Sequence, residues 1–162
     1  MIKILDSIDI DNVIAQFRLI EPQIIWNDAN HKGKQTSIQH KDGEDIWISS
    51  VGRPRGIESD FCKLNPLYKD TIFEELVKKY NLVRSRFLWL GASACYSFHA
   101  DPAPRVHIPI FTNDQSWFIF KNGKNEHLSV GYSYWVDTRL EHTAMNGHSN
   151  KPRLHMVGVV NA

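Results

Sequence analysis

Apolar residues recur at helical spacing in the first half of the chain and at alternate positions in the second, and the change falls near residue 82. Ile10, Val13, Ile14 and Phe17 share one helical face, which predicts a helix over Ser7–Ile20 capped by Ser7 or Asp9 and followed by Pro22. Ile72, Phe73, Leu76 and Val77 predict a second helix over Asp70–Tyr80. The polar stretch Asn27–Gly43 reads as a strand pair or a mobile loop. Ile46–Ile48 reads as a short strand before a turn over Gly52–Gly56.

From Leu82 onward the period is two. Strands are predicted at Phe87–Leu90, Cys95–Asp101, Val106–Phe111, Trp117–Phe120, Tyr132–Val136 and Leu154–Val160, with Asn122-Gly123 as a turn between two of them. Many short strands at close spacing suggest a sandwich or barrel. The expected architecture is mainly β with flanking N-terminal helices, in one domain over residues 1–162. Residues 1–82 would support a core formed by residues 83–162.

With 162 residues there is enough chain for one buried core, and neither repeats nor low-complexity tracts interrupt it. Nineteen Lys plus Arg stand against 18 Asp plus Glu, so nothing points to a nucleic-acid partner bound by charge alone. Cys62 and Cys95 make no CxxC pair and are expected to be reduced, buried thiols. The opening Met1–Leu5 is too short and too soon acidic for a secretory signal, and no apolar run reaches the ~20 residues of a membrane span. These features fit a soluble, cytoplasmic protein. Oligomeric state leaves no trace in the sequence.

The candidate chemistry begins at His99-Ala100-Asp101. In a strand, residues two apart point to one side, so this histidine and aspartate would reach the same metal ion. A histidine hydrogen-bonded to a nearby carboxylate would look the same. Arg105-Val106-His107-Ile108-Pro109-Ile110 follows, its polar and aliphatic side chains on opposite faces. On an ordinary sheet the polar face meets solvent, whereas in a closed barrel it can be the lumen that holds a ligand, and alternation alone does not decide between them. Arg153 and His155 share a face in the last strand, and His142 precedes them.

This ordered set resembles the aspartyl/asparaginyl β-hydroxylase-like family of Fe(II)/2-oxoglutarate dioxygenases, which also contains bacterial free-proline hydroxylases. The resemblance covers roughly residues 84–160. It runs through Leu90-Gly91, His99-Ala100-Asp101, Arg105 to Ile110, Thr112-Asn113, Gly131, Asp137, His142, Asn146 and Arg153-Leu154-His155. It implies a double-stranded β-helix, a cupin-like jelly roll. It further implies Fe(II) held by His99, Asp101 and His142, and 2-oxoglutarate as cosubstrate with O2. Arg153 matches the arginine that pairs with the far carboxylate of 2-oxoglutarate, and Arg105 and His107 match the pair beside the cosubstrate. Asn146 matches a residue expected to orient the loop after His142. His155 either faces the cosubstrate pocket or is an interior histidine. The implied reaction is hydroxylation of an amino acid or of an amino-acid side chain in a protein or peptide, with 2-oxoglutarate decarboxylated to succinate and CO2. Some mammalian members lack the metal carboxylate. With Asp101 present, the metal positions look more like the bacterial proline-hydroxylase type.

Other residues carry weaker signals. Trp47, Arg53 and Arg55 are placed either at a substrate mouth or as a core tryptophan and two surface arginines. His31, His40, His127 and His148 are expected at the surface, and Arg84 and Arg86 at a solvated strand edge, with a reach of one of them into the pocket as the alternative. Trp89, Trp117, Phe118, Phe120 and Trp135 are expected in the core. The sequence stops at Ala162, just after the last predicted strand, so the cover over a substrate is expected from the N-terminal half, from strand-connecting loops or from a partner. Two other functions fit the same residues: a non-catalytic cupin-like protein that binds a metal or ligand, and a zinc-dependent hydrolase.

Overall fold

The computed structural model describes residues 1–30 and 32–161, so the expectation for His31 lies outside the described residues. The first six-residue strand is one the pattern missed. Ile2–Ser7 forms β1, and helix α1 (Ile10–Ile20) starts only after Asp9, whose side chain accepts from Asn12 N–H at 3.2 Å. The second helix, α2 (Ile72–Lys79), is capped by Thr71, with Glu74 and Glu75 in its first turn and Lys78 and Lys79 in its last. That charge order complements the helix dipole.

The polar stretch between them does contain strands: β2 (Asn27–Asn30), β3 (Gly33–Ser37) and β4 (Gln39–His40), the last pairing with β5 (Lys63–Leu64). Ile46–Ile48, expected as a strand, is a turn. Asp45 Oδ1 accepts from the N–H groups of Trp47 at 2.7 Å and Ile48 at 3.0 Å, and this local bond competes with extension.

The remaining strands are β6 (Leu82–Leu90), β7 (Ala94–Cys95), β8 (Arg105–Phe111), β9 (Ser116–Phe120), β10 (Asn125–Glu126), β11 (Tyr132–Val136), β12 (His142–Asn146) and β13 (Arg153–Val160). One antiparallel sheet runs β1-β11-β8-β13-β6-β3-β2, and a second runs β10-β9-β12-β7. The chain is mainly β, with two helices, in an arrangement consistent with a jelly roll. No helix among the described residues is long and apolar enough to cross a membrane.

The larger sheet has two unlike faces. Val106, Ile108, Ile110, Leu154, Met156 and Phe87 face the helices and bury against Val13, Phe17, Phe73 and Leu76. Phe87 sits at the middle, edge-to-face with Phe17 at 5.3 Å, Tyr68 at 5.7 Å and Phe73 at 5.0 Å. The main core therefore draws on both halves of the chain. Phe118 and Phe120 pack with Tyr134 and Val136 in a second cluster, whereas Trp117 is exposed. Cys62 and Cys95 are exposed too, contrary to the expectation of buried thiols, because each lies on a short or irregular segment at the sheet margin.

A bulge interrupts β6. Val157 pairs with Arg86 and Val159 with Val83, so Arg84 and Ser85 together oppose Gly158. Arg84 takes a positive φ of 52°, and its N–H donates to Phe61 O at 2.7 Å. A Cβ on Gly158 would lie 2.8 Å from both Leu82 Cδ1 and Ser85 Oγ, so only glycine fits opposite the bulge.

Truncating Phe87 to Ala removes the ring around which three others are arranged. It should cost about 3–5 kcal/mol in denaturant unfolding, with an unchanged dependence on denaturant concentration.

Candidate metal centre and cavity

His99, Asp101 and His142 converge, with one ligand atom from each lying within 4.8 Å of the others. The expected route to this convergence was a strand over Cys95–Asp101. The structure takes another. Strand β7 ends at Cys95, and residues 96–101 run irregularly toward Pro102 and Pro104, which have no N–H to give to a ladder. Tyr96 ties the start of the segment to β12, its N–H donating to Ala144 O at 3.1 Å and its carbonyl accepting from Thr143 Oγ1 at 2.6 Å, and a bridge follows: His99 N–H donates to His142 O at 3.0 Å and His142 N–H to His99 O at 2.9 Å. The two imidazoles lie side by side, 4.5 Å between ring centres.

Both rings are set in the form that binds a metal. His99 Nδ1 lies 2.8 Å from Ser97 O, and His142 Nδ1 lies 2.8 Å from Leu140 O. A carbonyl only accepts, so each Nδ1 carries the hydrogen and each Nε2 presents a lone pair. Burial lowers the pKa of His142, against the opposing pull of its bond to Leu140, which favours the neutral ring. Phe118 stacks on the His142 ring, 4.9 Å away and 14° from parallel.

Asp101 is held as a carboxylate. Burial opposes its ionisation, but the hydrogen bond and charge of Arg105 outweigh burial and bring its pKa down to about 2. Arg105 Nε donates to Asp101 Oδ2 at 2.7 Å, and Arg105 Nη2 donates to Glu58 Oε1 at 2.9 Å. The same Glu58 oxygen accepts from Arg84 Nη1 at 2.9 Å. Two carboxylates thus answer two guanidiniums in a continuous chain. Two imidazoles with Nε2 turned inward, a carboxylate and a fixed orientation suit a divalent first-row ion with positions left over.

The triad opens on a cavity of about 620 Å³ between the sheets. Arg105, His107 and Arg153 line it, with Arg84, Arg86 and Tyr96. Arg153 is only 4% exposed. Its side-chain neighbour is His155 Nδ1 at 3.0 Å, which accepts, and no carboxylate pairs with it among the described residues. Burial lowers its pKa to about 10, offset slightly by Tyr96. Tyr96 Oη, His107 Nε2 and His155 Nε2 are buried without a hydrogen-bond partner among the described residues. A buried cation beside polar atoms with hydrogen-bonding capacity to spare is suited to an anionic group.

The other sequence candidates fall in different places. Arg53 lines the cavity, but Trp47 does not. Its indole packs against the main core, and its carbonyl accepts from Ser37 N–H, so the turn at 46–50 holds it behind the sheet. His155 backs Arg153 without lining the cavity. Asn146 is fully buried at the end of β12 and does not line the cavity. Its amide donates to Gly91 O at 2.9 Å and Lys151 O at 2.8 Å and accepts from Asn113 Nδ2 at 3.0 Å. His40, His127 and His148 are half-buried and away from the cavity.

Arg84 and Arg86 overturn the expectation of a solvated edge. β6 is interior, flanked by β13 and β3, and both side chains are buried against the cavity. The alternation Arg84, Arg86, Leu88 carried the signal, since a buried strand with charges on one face needs a lumen for them. Glu58 and Gln35 also line the cavity and were not anticipated. They come from a short 3₁₀ turn and a polar strand that periodicity does not mark.

Comparison of the sequence with family models and with curated proteins finds no match. Solved structures share the fold. A 2OG-Fe(II) oxygenase family oxidoreductase from Burkholderia pseudomallei superposes with a TM-score of 0.67 at 12% identity, over 98% of this chain and 82% of that one. A protein named IDO from Bacillus thuringiensis gives 0.56 at 10% identity, over 92% and 82%. A prolyl-4-hydroxylase from Pseudomonas putida gives 0.51 at 12%, over 98% and 90%.

Asn146 and Arg153 should respond oppositely to truncation. Asn146→Ala strands several buried partners and should cost about 1–3 kcal/mol in urea unfolding. Arg153→Met removes a buried charge that has no acid to lose. The ligand-free variant should be as stable as the parent or about 1–4 kcal/mol more stable.

Proposed function

We propose that this protein is an Fe(II)- and 2-oxoglutarate-dependent oxygenase that hydroxylates an amino acid or an amino-acid side chain of a protein, in the manner of the aspartyl/asparaginyl β-hydroxylase-like family. The observation that carries the reading is the acid-less guanidinium of Arg153 in the same cavity as the His99, Asp101 and His142 cluster. A metal alone does not call for such a cation. The names of the Burkholderia and Pseudomonas structures support the same class.

In this reading His99 and His142 hold the ion through Nε2, and Asp101 adds the third donor. Their Nδ1–H bonds to Ser97 and Leu140 keep both rings from turning away. When bound, iron and 2-oxoglutarate supply the oxidising power, with O2 consumed and succinate and CO2 released. The chain's own residues bind and orient. Arg153 offers its planar fork to the far carboxylate of 2-oxoglutarate, with Tyr96 Oη as a hydrogen-bond donor beside it. The Nη1 of Arg105, without a partner among the described residues, supplies a donor beside Asp101, and the buried ring of His107 adds a polar wall to the cavity. Phe118 shields the His142 ring from water. The cytoplasm, with its supply of 2-oxoglutarate, is the proposed place of action.

A zinc hydrolase and a barrel that binds only a metal leave Arg153 without a task, and a barrel that binds an anionic ligand without turnover would form no succinate. A hydrolytic zinc site needs an open water position, and a passive binding barrel needs no cation beside its metal.

Purified protein supplied with Fe(II), ascorbate and 2-oxoglutarate should form succinate slowly even without a prime substrate. Asp101→Ala and His142→Ala should reduce this to background, and succinate formation unchanged in both would refute the assignment. Arg153→Met should raise the 2-oxoglutarate concentration needed by roughly 10–100-fold, the loss expected for charge-assisted hydrogen bonds.

A further inference from the structure

Arg86 is a second buried cation in the cavity, and neither the metal nor the cosubstrate accounts for it. It is 6% exposed and lines the cavity on β6. Its Nη1 donates to Gln35 Oε1 at 3.1 Å, and its Nε has no partner among the described residues. Around it lie Arg84 and Arg105, whose carboxylates, Glu58 and Asp101, are already engaged. Burial and those two like charges push the Arg86 pKa well below the ordinary arginine range, which is the mark of a cation without its counterion. Arg153, the other acid-less guanidinium, stands on β13 by Leu90, whereas Arg86 pairs in register with Val157. Tyr96 is near enough to feel both charges.

We propose that Arg86, with Gln35 beside it, is the recognition point for a carboxylate on the prime substrate, so that the molecule oxidised here is an acid. This rests on the preceding reading in one respect: 2-oxoglutarate occupies Arg153, and its other end goes to the metal. Arg86 is then the cation left over. A carboxylate is the group that matches the free Nε edge of a guanidinium whose opposite edge is held by an amide. The cavity volume lies inside the range of ~300–1,000 Å³ that holds small ligands, so a second acid fits beside the cosubstrate. Arg53 lines the same cavity and is solvent-exposed, adding positive charge where an acid would enter. The carboxylate can come from a free amino acid or from an acidic residue of a peptide that reaches inward. The chemistry at Arg86 is the same.

The test uses the full chain with Mn(II) in place of iron, so that nothing turns over, and reads the thermal unfolding midpoint. L-aspartate, L-proline and L-leucine, their carboxamides, an aspartate-containing hexapeptide, its asparagine counterpart and inorganic phosphate are titrated with and without saturating 2-oxoglutarate. At least one carboxylate should raise the midpoint beyond the 2-oxoglutarate value, and its amide should not. Amino acid against peptide distinguishes the two sources. Arg86→Met and Arg86→Gln should weaken that acid by about tenfold or more while the 2-oxoglutarate shift persists. The proposal is overturned if no carboxylate shifts the parent protein, if amides act as well as acids, if only phosphate acts, or if the Arg86 variants lose the 2-oxoglutarate shift as Arg153→Met does. The amide comparison needs no variant, so it holds even if the substitutions fold poorly. Failure of the cosubstrate reading looks different: 2-oxoglutarate then gives no shift in the parent, or one that Arg153→Met leaves intact.

Discussion

Two backbone hydrogen bonds between His99 and His142 hold the candidate centre together. The segment bearing His99 and Asp101 is too irregular to be fixed by a strand ladder; Tyr96 anchors its start to the smaller sheet, and at the histidines it is held by this one reciprocal pair. That clasp sets the two imidazoles next to each other. The Nδ1 bonds to Ser97 and Leu140 then fix which nitrogen each ring turns inward. A metal site built this way needs little regular structure on one side, provided the other side is a rigid strand. β12, paired with β9 along its whole length, is that strand.

The larger sheet divides its labour by face. Its helix-facing side is a close-packed aromatic and aliphatic core, which supplies most of the driving force for folding. Its inner side carries guanidiniums and imidazoles that oppose folding until they are paired. Asp101 and Glu58 answer two of the arginines. Arg86 and Arg153 remain unanswered, and the apolar face must outweigh their desolvation in the ligand-free protein. For an acid of the kind proposed above, donors would already be oriented and stripped of water.

Much of this was legible in the sequence where the pattern was long and regular. Both helices were visible from their apolar spacing, as were β8, β11 and β13 from alternation. The facing of Arg105 and His107 away from Val106, Ile108 and Ile110 was legible too. β1 was not, because Ile2, Ile4 and Leu5 do not alternate cleanly and the cap at Asp9 sits so close behind. β12 was hidden because a strand that carries a buried histidine and a buried asparagine has a polar composition. Asp45 defeated the short strand at Ile46–Ile48 through a bond that periodicity does not record. Arg84 and Arg86 were misplaced for a plainer reason. Charge on a strand is ordinarily a sign of solvent, and only the three-dimensional closure of the barrel turns it into a sign of cavity. Which residues share the cavity from β3, β6 and the turn at Glu58 depends on contacts spanning 26 to 51 residues, which no local pattern encodes.

Glu58 Oε1 receives both Arg84 and Arg105, and Arg105 in turn grips Asp101. Arg84 also donates to the carbonyls of Ser50 and Gly52. The connection from residues 50–61 to the carboxylate of the candidate centre is therefore made of charged hydrogen bonds, link by link. Linkage makes such a connection reciprocal. A group that orders the Asp101 carboxylate through these bonds would also favour the ordered loop around Gly52, and the loop's order would in turn favour that group. Entrance and centre are thus thermodynamically one element, although the chain builds them from segments about forty residues apart.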